Sequence, residues 1–117
     1  DPPRLQQIMI NLLNNSKHAI QGEGTIAVSI YKYDEEHVAI DVQDSGSGIP
    51  PAEQDLIFER FYRGEEKKYK IRGLGLGLPF SRMLAKAMDG DLVLTNSNEK
   101  GTTFTIVLKR LAQKRGA

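Results

Sequence analysis

The amino-acid sequence predicts a two-layer α/β sandwich, in which a mixed, largely antiparallel sheet carries helices on one face. Two segments repeat apolar residues at helical spacing, one near the N-terminus and one in the last third of the chain. Three other segments alternate apolar with small or polar residues, as strands do, and turns join them and a fourth short segment into two hairpins. One face of the sheet is therefore expected to be covered by the helices. The other face should be wetter.

The length and composition favour one domain over residues 1–117, because the chain is large enough for one core and too small for two. A formal net charge of +1 gives no general attraction to nucleic acid or to an anionic membrane, so any anion site must be local. The chain has no cysteine, which excludes disulfides and fits a cytoplasmic location. Its longest apolar runs are far shorter than a membrane span.

The first helix is predicted to run from the N-terminal proline pair to Gly22. Asn11, Asn15 and His18 form a polar stripe along one edge of its apolar face. Asn is a mediocre helix former, so two of them at i and i+4 need a reason. Either the two amides line a ligand site or they tie down neighbouring backbone carbonyls. The helix alone does not separate these alternatives.

The first hairpin is predicted over residues 25–44. Its first strand alternates apolar with small or polar residues, which is typical of a half-buried strand; the apolar residues are Ile26, Val28 and Ile30. Asp44 ends the second strand on the same side as the apolar residues before it, so its carboxylate should point toward the core and needs a donor. Gly46 and Gly48 follow and permit a tight backbone path with room for a flat group.

A short helix is expected over residues 52–58, followed by a charged segment with interspersed aromatic residues over 59–72. Such a run is usually a solvated loop, but its aromatic residues favour a segment that packs in part against the rest of the domain. A glycine-leucine alternation then opens the second long helix, and such an approach presents backbone N–H groups to an anion. The apolar stripe of that helix is expected to contain Phe80, Met83, Leu84, Ala87 and Met88.

The closing hairpin is predicted from strands over 92–96 and 102–108, joined by a turn over 97–101. Thr102 lies two residues before Phe104, so both side chains are expected on the inward face of the strand. Asp44 and Thr102 are therefore two polar groups expected on the core side of strands that look like neighbours. The basic tail after Leu108 is expected to be solvated.

Five motifs carry a resemblance to a known family. They are N-L-L-N-N-S (11–16), D-S-G-S-G-I (44–49), F-E-R-F-Y-R (58–63), G-L-G-L-G-L (73–78) and G-T-T-F (101–104). The glycine-leucine motif alone is weak, because it is neither a P-loop nor a dinucleotide fingerprint. Together and in this order, the motifs resemble the catalytic ATP-binding domain of bacterial sensor histidine kinases. That domain belongs to the superfamily shared with gyrase, mismatch-repair and heat-shock chaperone ATPases.

The resemblance implies a site for ATP and Mg²⁺ beneath a flexible lid. Asn15 would give its amide oxygen to Mg²⁺ with Asn11 assisting, and a neutral amide would not repel a triphosphate. Asp44 would accept the adenine amino group, joined by Thr102 through water. The residues expected to contact the nucleotide are Asn11, Asn15, His18, Asp44, Gly46, Gly48, Ile49, Arg63, Gly73, Leu74, Gly75, Leu76, Gly77, Leu78 and Thr102.

The resemblance also assigns roles to the segment before the glycine-leucine motif. Arg63 matches a lid position that reaches the γ-phosphate in similar kinases, so the expected catalytic residues are Asn11, Asn15 and Arg63. Weaker candidates for the same contact are Lys67, Lys68, Lys70 and Arg72. Three aromatic residues would sense the nucleotide and dock against the phosphoacceptor, namely Phe58, Phe61 and Tyr62.

Asn11 bears on the reaction. In the ATP-hydrolysing branches of the superfamily a glutamate stands four residues before the metal-binding Asn, whereas Asn11 cannot act as a general base near neutral pH. The resemblance thus implies slow hydrolysis and transfer of the γ-phosphoryl group to a histidine on a dimerisation helix bundle. A response regulator would act downstream, and the parent protein could be membrane-anchored. The isolated domain is expected to be monomeric.

Several positions depart from the family's pattern. His18 and Ala19 replace a common Lys and aromatic residue, and Leu74 replaces a common Ser or Thr. Similar domains have a further strand before the Asn-bearing helix. Neither His18 nor His37 stands in the H-[ED]-x-x-x-P setting of a phosphoacceptor, so the acceptor must lie elsewhere. Two alternatives are a serine protein kinase of the anti-sigma-factor type and a non-catalytic adenine-nucleotide sensor.

Overall fold

The computed structural model describes residues 2–20, 22–58 and 77–110, without the side chain of His18. Its elements are α1 (Pro2–Ala19), β1 (Ile26–Asp34), β2 (His37–Asp44), α2 (Pro51–Gln54), α3 (Gly77–Ala87), β3 (Asp91–Asn98) and β4 (Gly101–Lys109). None of the helices in these ranges has the length and apolar character needed to cross a membrane.

The sheet has the strand order β1-β2-β4-β3, and each pairing between these four strands is antiparallel. The predicted sandwich is confirmed, and the described part of its sheet is antiparallel rather than mixed. The two hairpins lie side by side because β2 pairs with β4, which puts Asp44 directly opposite Thr102. The end of β2 and the start of β4 therefore meet at one edge of the fold.

The core lies between the sheet and the two long helices. α1 contributes Ile8 and Leu12, and α3 contributes Leu78 and Ala85, all fully buried. The sheet meets them with inward residues of its inner strands, chiefly Ile40, Val42, Phe104 and Ile106. Each of the larger side chains contributes on the order of 2 kcal/mol by leaving water. The core thus fixes both helices over β2 and β4.

Two predictions about burial were wrong. Every residue of β1 is exposed, including Ile30 at 69%, although the strand alternates as a half-buried strand does. β1 is an edge strand of the described sheet and α1 lies over β2, so alternation records which face a residue is on but not whether that face is covered. On α3, Phe80 and Met83 are exposed at 43% and 52% instead of lying in the apolar stripe. Leu78, on the other side of α3, fills the core instead.

Two element boundaries also differ from the predicted ones. The helix expected over 52–58 is only Pro51–Gln54, and the following turn buries Ile57 instead of continuing the helix. The turn expected over 97–101 is reduced to Glu99 and Lys100, because Ser97 and Asn98 pair with Thr102 and Gly101. The second difference matters for the site, since it adds Ser97 to the sheet.

The sheet face away from the helices is largely polar, as expected. Asp41 accepts hydrogen bonds from the Tyr31 hydroxyl (3.0 Å) and from the Thr105 hydroxyl (2.7 Å), which links three strands. The bond to Asp41 is the main cause that raises the pKa of Tyr31. Ala27, Ser29 and Gln43 on this face are exposed.

Candidate functional site

Asp44 and Thr102 lie together at the end of the sheet. Their residues are 3% and 1% exposed, and they are direct partners across β2 and β4. The Gly46 N–H donates to Oδ1 of Asp44 at 2.9 Å. The prediction that this carboxylate points inward and receives a donor is therefore confirmed. A buried, ionisable acceptor next to a hydroxyl group is suited to reading an N–H edge of a ligand.

The glycines after Asp44 are required for a different reason from the predicted one. A Cβ on Gly46 would stand 2.7 Å from the carbonyl oxygen of Ala19, and one on Gly48 would stand 2.1 Å from that of Asn98. Gly48 also has a φ of 87°, which favours glycine. Both glycines are thus required by contacts with protein, and their predicted contact with the nucleotide stays a prediction.

Gly101 completes this close packing from the other side. A Cβ there would stand 1.9 Å from the carbonyl oxygen of Asp44, and its φ is 145°. Gly48 and Gly101 therefore hold the turn after β2 against the turn between β3 and β4. The contact fixes the backbone on both sides of the Asp44–Thr102 pair.

Ser97 joins these two turns through its hydroxyl group. The Ile49 N–H donates to Oγ of Ser97 at 2.8 Å, and the Ser97 and Thr102 hydroxyl oxygens are 2.9 Å apart. The Ile49 side chain is 3% exposed and belongs to the core. The predicted contact of Ile49 with nucleotide stays a prediction, and neither its side chain nor its N–H faces an open site. Sequence reasoning missed Ser97 because it placed that residue in a turn.

The two asparagines of α1 have different surroundings. Oδ1 of Asn11 accepts a hydrogen bond from Nε2 of Gln7 at 3.2 Å, and its Nδ2 donates to Oγ of Ser81 on α3 at 2.8 Å. Asn15 is 6% exposed, and within the described ranges its carboxamide makes no hydrogen bond. Asn11 thus ties α1 to α3, whereas Asn15 keeps its amide oxygen available in a nearly buried position.

The start of α3 is the described part of the predicted anion site. The helix begins at Gly77, so its first backbone N–H groups stand at the positive end of the helix dipole. Leu78 is fully buried in the core, so it could contact a phosphate only through its backbone. The remaining predicted contacts lie outside the described residues: Arg63, Gly73, Leu74, Gly75 and Leu76, together with Phe61, Tyr62, Lys67, Lys68, Lys70, Arg72 and the His18 side chain.

Phe58 is held inside the fold by two aromatic contacts. Its ring meets Phe104 edge-on with 6.2 Å between centroids, and the Arg82 guanidinium lies 5.0 Å from its centroid. Arg82 donates from Nε and Nη2 to Asp91 at 2.9 and 3.3 Å. Burial alone would raise the pKa of Asp91, but the Arg82 and Leu92 hydrogen bonds outweigh it and lower that pKa. Phe58 is therefore half-buried and packed against the fold, and its predicted docking role stays a prediction.

The comparisons with known proteins agree with this geometry. The sequence profile of the histidine kinase-, DNA gyrase B- and HSP90-like ATPases matches residues 1–112. The aerobic respiration control sensor protein ArcB of Escherichia coli is 41% identical over 112 residues, which is 92% of this chain and 14% of ArcB. The sensor histidine kinase YcbM of Bacillus subtilis is 39% identical over 110 residues, which is 92% of this chain and 34% of YcbM.

Two solved structures are similar in both fold and sequence. The mycobacterial sensor histidine kinase MprB gives a TM-score of 0.77 at 30% identity, covering 93% of this chain and 74% of that one. The catalytic domain of the histidine kinase ThkA in a nucleotide-free form gives 0.77 at 27% identity, covering 93% and 69%.

The fold and the site define the class as an ATP-binding α/β sandwich of the kind found in sensor kinases. The chain belongs to the histidine kinase-, DNA gyrase B- and HSP90-like ATPase family, as a catalytic domain of the sensor histidine kinase type. It spans about one seventh of the length of ArcB and a third of that of YcbM.

Proposed function

We propose that this domain binds ATP with Mg²⁺ and positions the γ-phosphoryl group for transfer to a histidine on a dimerisation helix bundle. The relatives ArcB and YcbM bear the names of a sensor protein and a sensor histidine kinase, and this domain matches a part of each. The observation that carries the proposal is the amide of Asn15, which is nearly buried and makes no hydrogen bond to a described residue.

Asn15 fits a magnesium ligand on chemical grounds. The carboxamide is not fully enclosed, so its oxygen can still be reached by an ion from solvent. Mg²⁺ prefers hard oxygen ligands and is often bound by one or two protein groups together with substrate phosphates. When bound, the ion would neutralise charge on the phosphates. Asn11 is a weaker candidate, since its Oδ1 already accepts from Gln7 and its Nδ2 donates to Ser81.

Asp44 and Thr102 fit the recognition of adenine. An ionised carboxylate accepts hydrogen bonds only, so it matches the amino group of adenine and opposes the carbonyl oxygen that guanine has at the same position. Both residues lie at the sheet end, next to the turn of residues 45–49. The proposal therefore includes a preference for ATP over GTP.

The contribution of the domain would be positioning and charge neutralisation, which is most of what phosphoryl transfer requires. Arg63 and the backbone of residues 73–77 are proposed to hold the phosphates. The histidine bundle would supply the nucleophile, and its binding surface on this domain is proposed at Phe80 and Met83, two large apolar residues exposed on α3. The reaction is proposed to take place in the cytoplasm, where a response regulator would later accept the phosphoryl group from the histidine.

The central experiment is a titration of the domain with ATP and with GTP, each with and without Mg²⁺. We expect saturable binding of ATP that tightens with Mg²⁺ and is at least about tenfold stronger than that of GTP, as expected for one buried charged hydrogen bond. Asp44→Asn should remove this preference. Asp41→Asn is the matched control, because Asp41 lies on the same strand but on the opposite sheet face. Equal binding of ATP and GTP would contradict the proposed site.

The transfer step needs a separate experiment. The domain is mixed with γ-labelled ATP and a histidine-bearing helix bundle from a similar kinase, and acid-labile phosphohistidine is measured. Acid-stable label on serine would favour the anti-sigma-factor type of kinase, and tight ATP binding without any transfer would favour a nucleotide sensor. Hydrolysis without the bundle is expected to be slow and to rise on Asn11→Glu. Brisk hydrolysis by the unaltered domain would contradict the role given to Asn11.

A further inference from the structure

The hydroxyl group of Ser97 contacts the turn that follows Asp44 and also Thr102 itself. It accepts the Ile49 N–H from the turn after β2 at 2.8 Å, and it lies 2.9 Å from the Thr102 hydroxyl on β4. Thr102 is 1% exposed, so few other groups can compete for its hydroxyl. The three groups form a short hydrogen-bonded chain at the end of the sheet.

The chemistry of this chain fixes the direction of its first hydrogen bond. A backbone N–H can only donate, so the Ser97 oxygen is the acceptor in its contact with Ile49. Ser97 keeps its own proton and a second lone pair, so either hydroxyl can be the donor in its contact with Thr102. Where Ser97 donates, the Thr102 oxygen accepts and Thr102 turns its own O–H away from Ser97. Hydrogen-bonded hydroxyl groups polarise one another, so the Thr102 O–H then becomes a stronger donor.

We propose that Ser97 is a positioning residue for purine recognition, which sets the Thr102 hydroxyl as a donor beside the Asp44 acceptor. This inference rests on the proposed binding of adenine. An acceptor and a donor side by side complement the amino group and N1 of adenine, directly or through one water. Guanine presents the reverse pattern on that edge, a carbonyl oxygen and an N1–H. Ser97 would thus add a second point of discrimination without touching the base.

The test compares ATP with 1-deaza-ATP, which keeps the amino group but replaces N1 by C–H. For the unaltered domain we expect ATP to bind about fivefold to tenfold more tightly than 1-deaza-ATP, as expected for one hydrogen bond in a buried site. Ser97→Ala should reduce this ratio to about the value found for Thr102→Val, whereas Ser97→Thr should keep it. The ratio of ATP to 7-deaza-ATP should not change, because N7 lies on another edge of the base.

A double-mutant cycle separates positioning from a loss of fold. In the Thr102→Val background, Ser97→Ala should have no further effect on the ratio of ATP to 1-deaza-ATP, because no hydroxyl is left to orient. Thr95→Val is the matched control: it removes one hydroxyl from the Thr95–Thr105 pair, which joins the same two strands away from Asp44. This control should keep the parental ratio.

Two outcomes would overturn the inference in different ways. If Ser97→Ala weakens ATP and 1-deaza-ATP equally, or acts as strongly in the Thr102→Val background, Ser97 has only a structural role, and the proposed function stands. If the unaltered domain binds neither ATP nor 1-deaza-ATP, the proposed function fails together with the inference. Circular dichroism of each variant, and the Ser97→Thr rescue, identify a variant that has lost its fold.

Discussion

The two asparagines of α1 should respond differently to the same substitution. Asn15→Leu removes a carboxamide that is 6% exposed and makes no hydrogen bond within the described residues. Asn11→Leu removes the group that donates to Oγ of Ser81, whose residue is fully buried. Leucine keeps the branched shape of asparagine but is larger, so both variants carry some cost of fitting the extra methyl volume. We therefore expect the first variant to be the more stable of the two in the nucleotide-free domain.

The expected sizes follow from the cost of leaving polar groups unpaired. Asn15→Leu breaks no hydrogen bond within the described residues, and the Asn15 amide is not among the fully buried atoms without a partner, so the free energy of unfolding should change by less than about 1 kcal/mol. Asn11→Leu should lower it by about 1–2 kcal/mol, because the Ser81 hydroxyl is left without its partner. In a chain of 117 residues, each kcal/mol corresponds to about 4 °C in the melting temperature. Asn15→Leu should thus melt about 4–8 °C higher than Asn11→Leu.

The assay is thermal and urea unfolding without nucleotide, followed by titration with ATP in the presence and absence of Mg²⁺. Asn15→Leu should be the more stable protein and should lose the tightening of ATP binding by Mg²⁺. Such a loss of binding without a loss of stability is expected of a residue that serves a ligand rather than the fold. If both variants lose stability to the same degree, Asn15 has a structural partner and its proposed role as a metal ligand is refuted.

Three further predictions concern the surroundings of the site. Gly48→Ala should lower the free energy of unfolding by about 2 kcal/mol or more, because its Cβ would stand 2.1 Å from the Asn98 carbonyl oxygen; unchanged urea unfolding would contradict this contact. Asp91→Asn should destabilise by about 1 kcal/mol at pH 7, and the difference should vanish below about pH 4. The sign follows because Arg82 lowers the pKa of Asp91 in the folded state, so the charged form stabilises above the unfolded pKa and the effect is lost on protonation; a difference independent of pH would exclude the ion pair. Phe80→Ser should keep ATP affinity and reduce transfer to a histidine bundle by about tenfold, and unchanged transfer would exclude α3 as the docking surface.

The fold could be predicted from the sequence because periodicity records which side of each element is apolar. Asp44 was correctly placed on the core side by the parity of its strand, and its pairing with Thr102 followed from the same argument. Periodicity does not show whether another element covers that apolar side, because this depends on where elements distant in the sequence pack. β1 therefore alternates like a buried strand and is exposed, and Phe80 belongs to the predicted stripe of α3 but faces outward.

The candidate site was predicted only at the level of residue type. The helix pattern did not separate Asn11 from Asn15, because both stand on the same edge of α1 and differ only in what α3 places beside them. The requirement for Gly48 was read as space for a ligand, but the approach of Asn98 comes from a hairpin fifty residues later in the chain. Contacts between turns that are distant in sequence leave no local signal, and Ser97 was missed for the same reason.

The close contact between the two turns explains why recognition of the base would depend on the sheet more than on α1. Gly48 and Gly101 press the turn after β2 against the turn before β4, with only backbone atoms between them. The Ser97 hydroxyl crosses that contact and bonds to both sides. A shift of either turn would therefore move Asp44 and Thr102 together, since they are partners in the same ladder. Asn15, by contrast, is carried by α1, which packs on α3. Metal binding thus rests on α1 and α3, whereas base recognition rests on the sheet and on the contact of Gly46 with Ala19 at the end of α1. A substitution between α1 and α3 away from Ala19 should change metal binding more than selectivity for the purine.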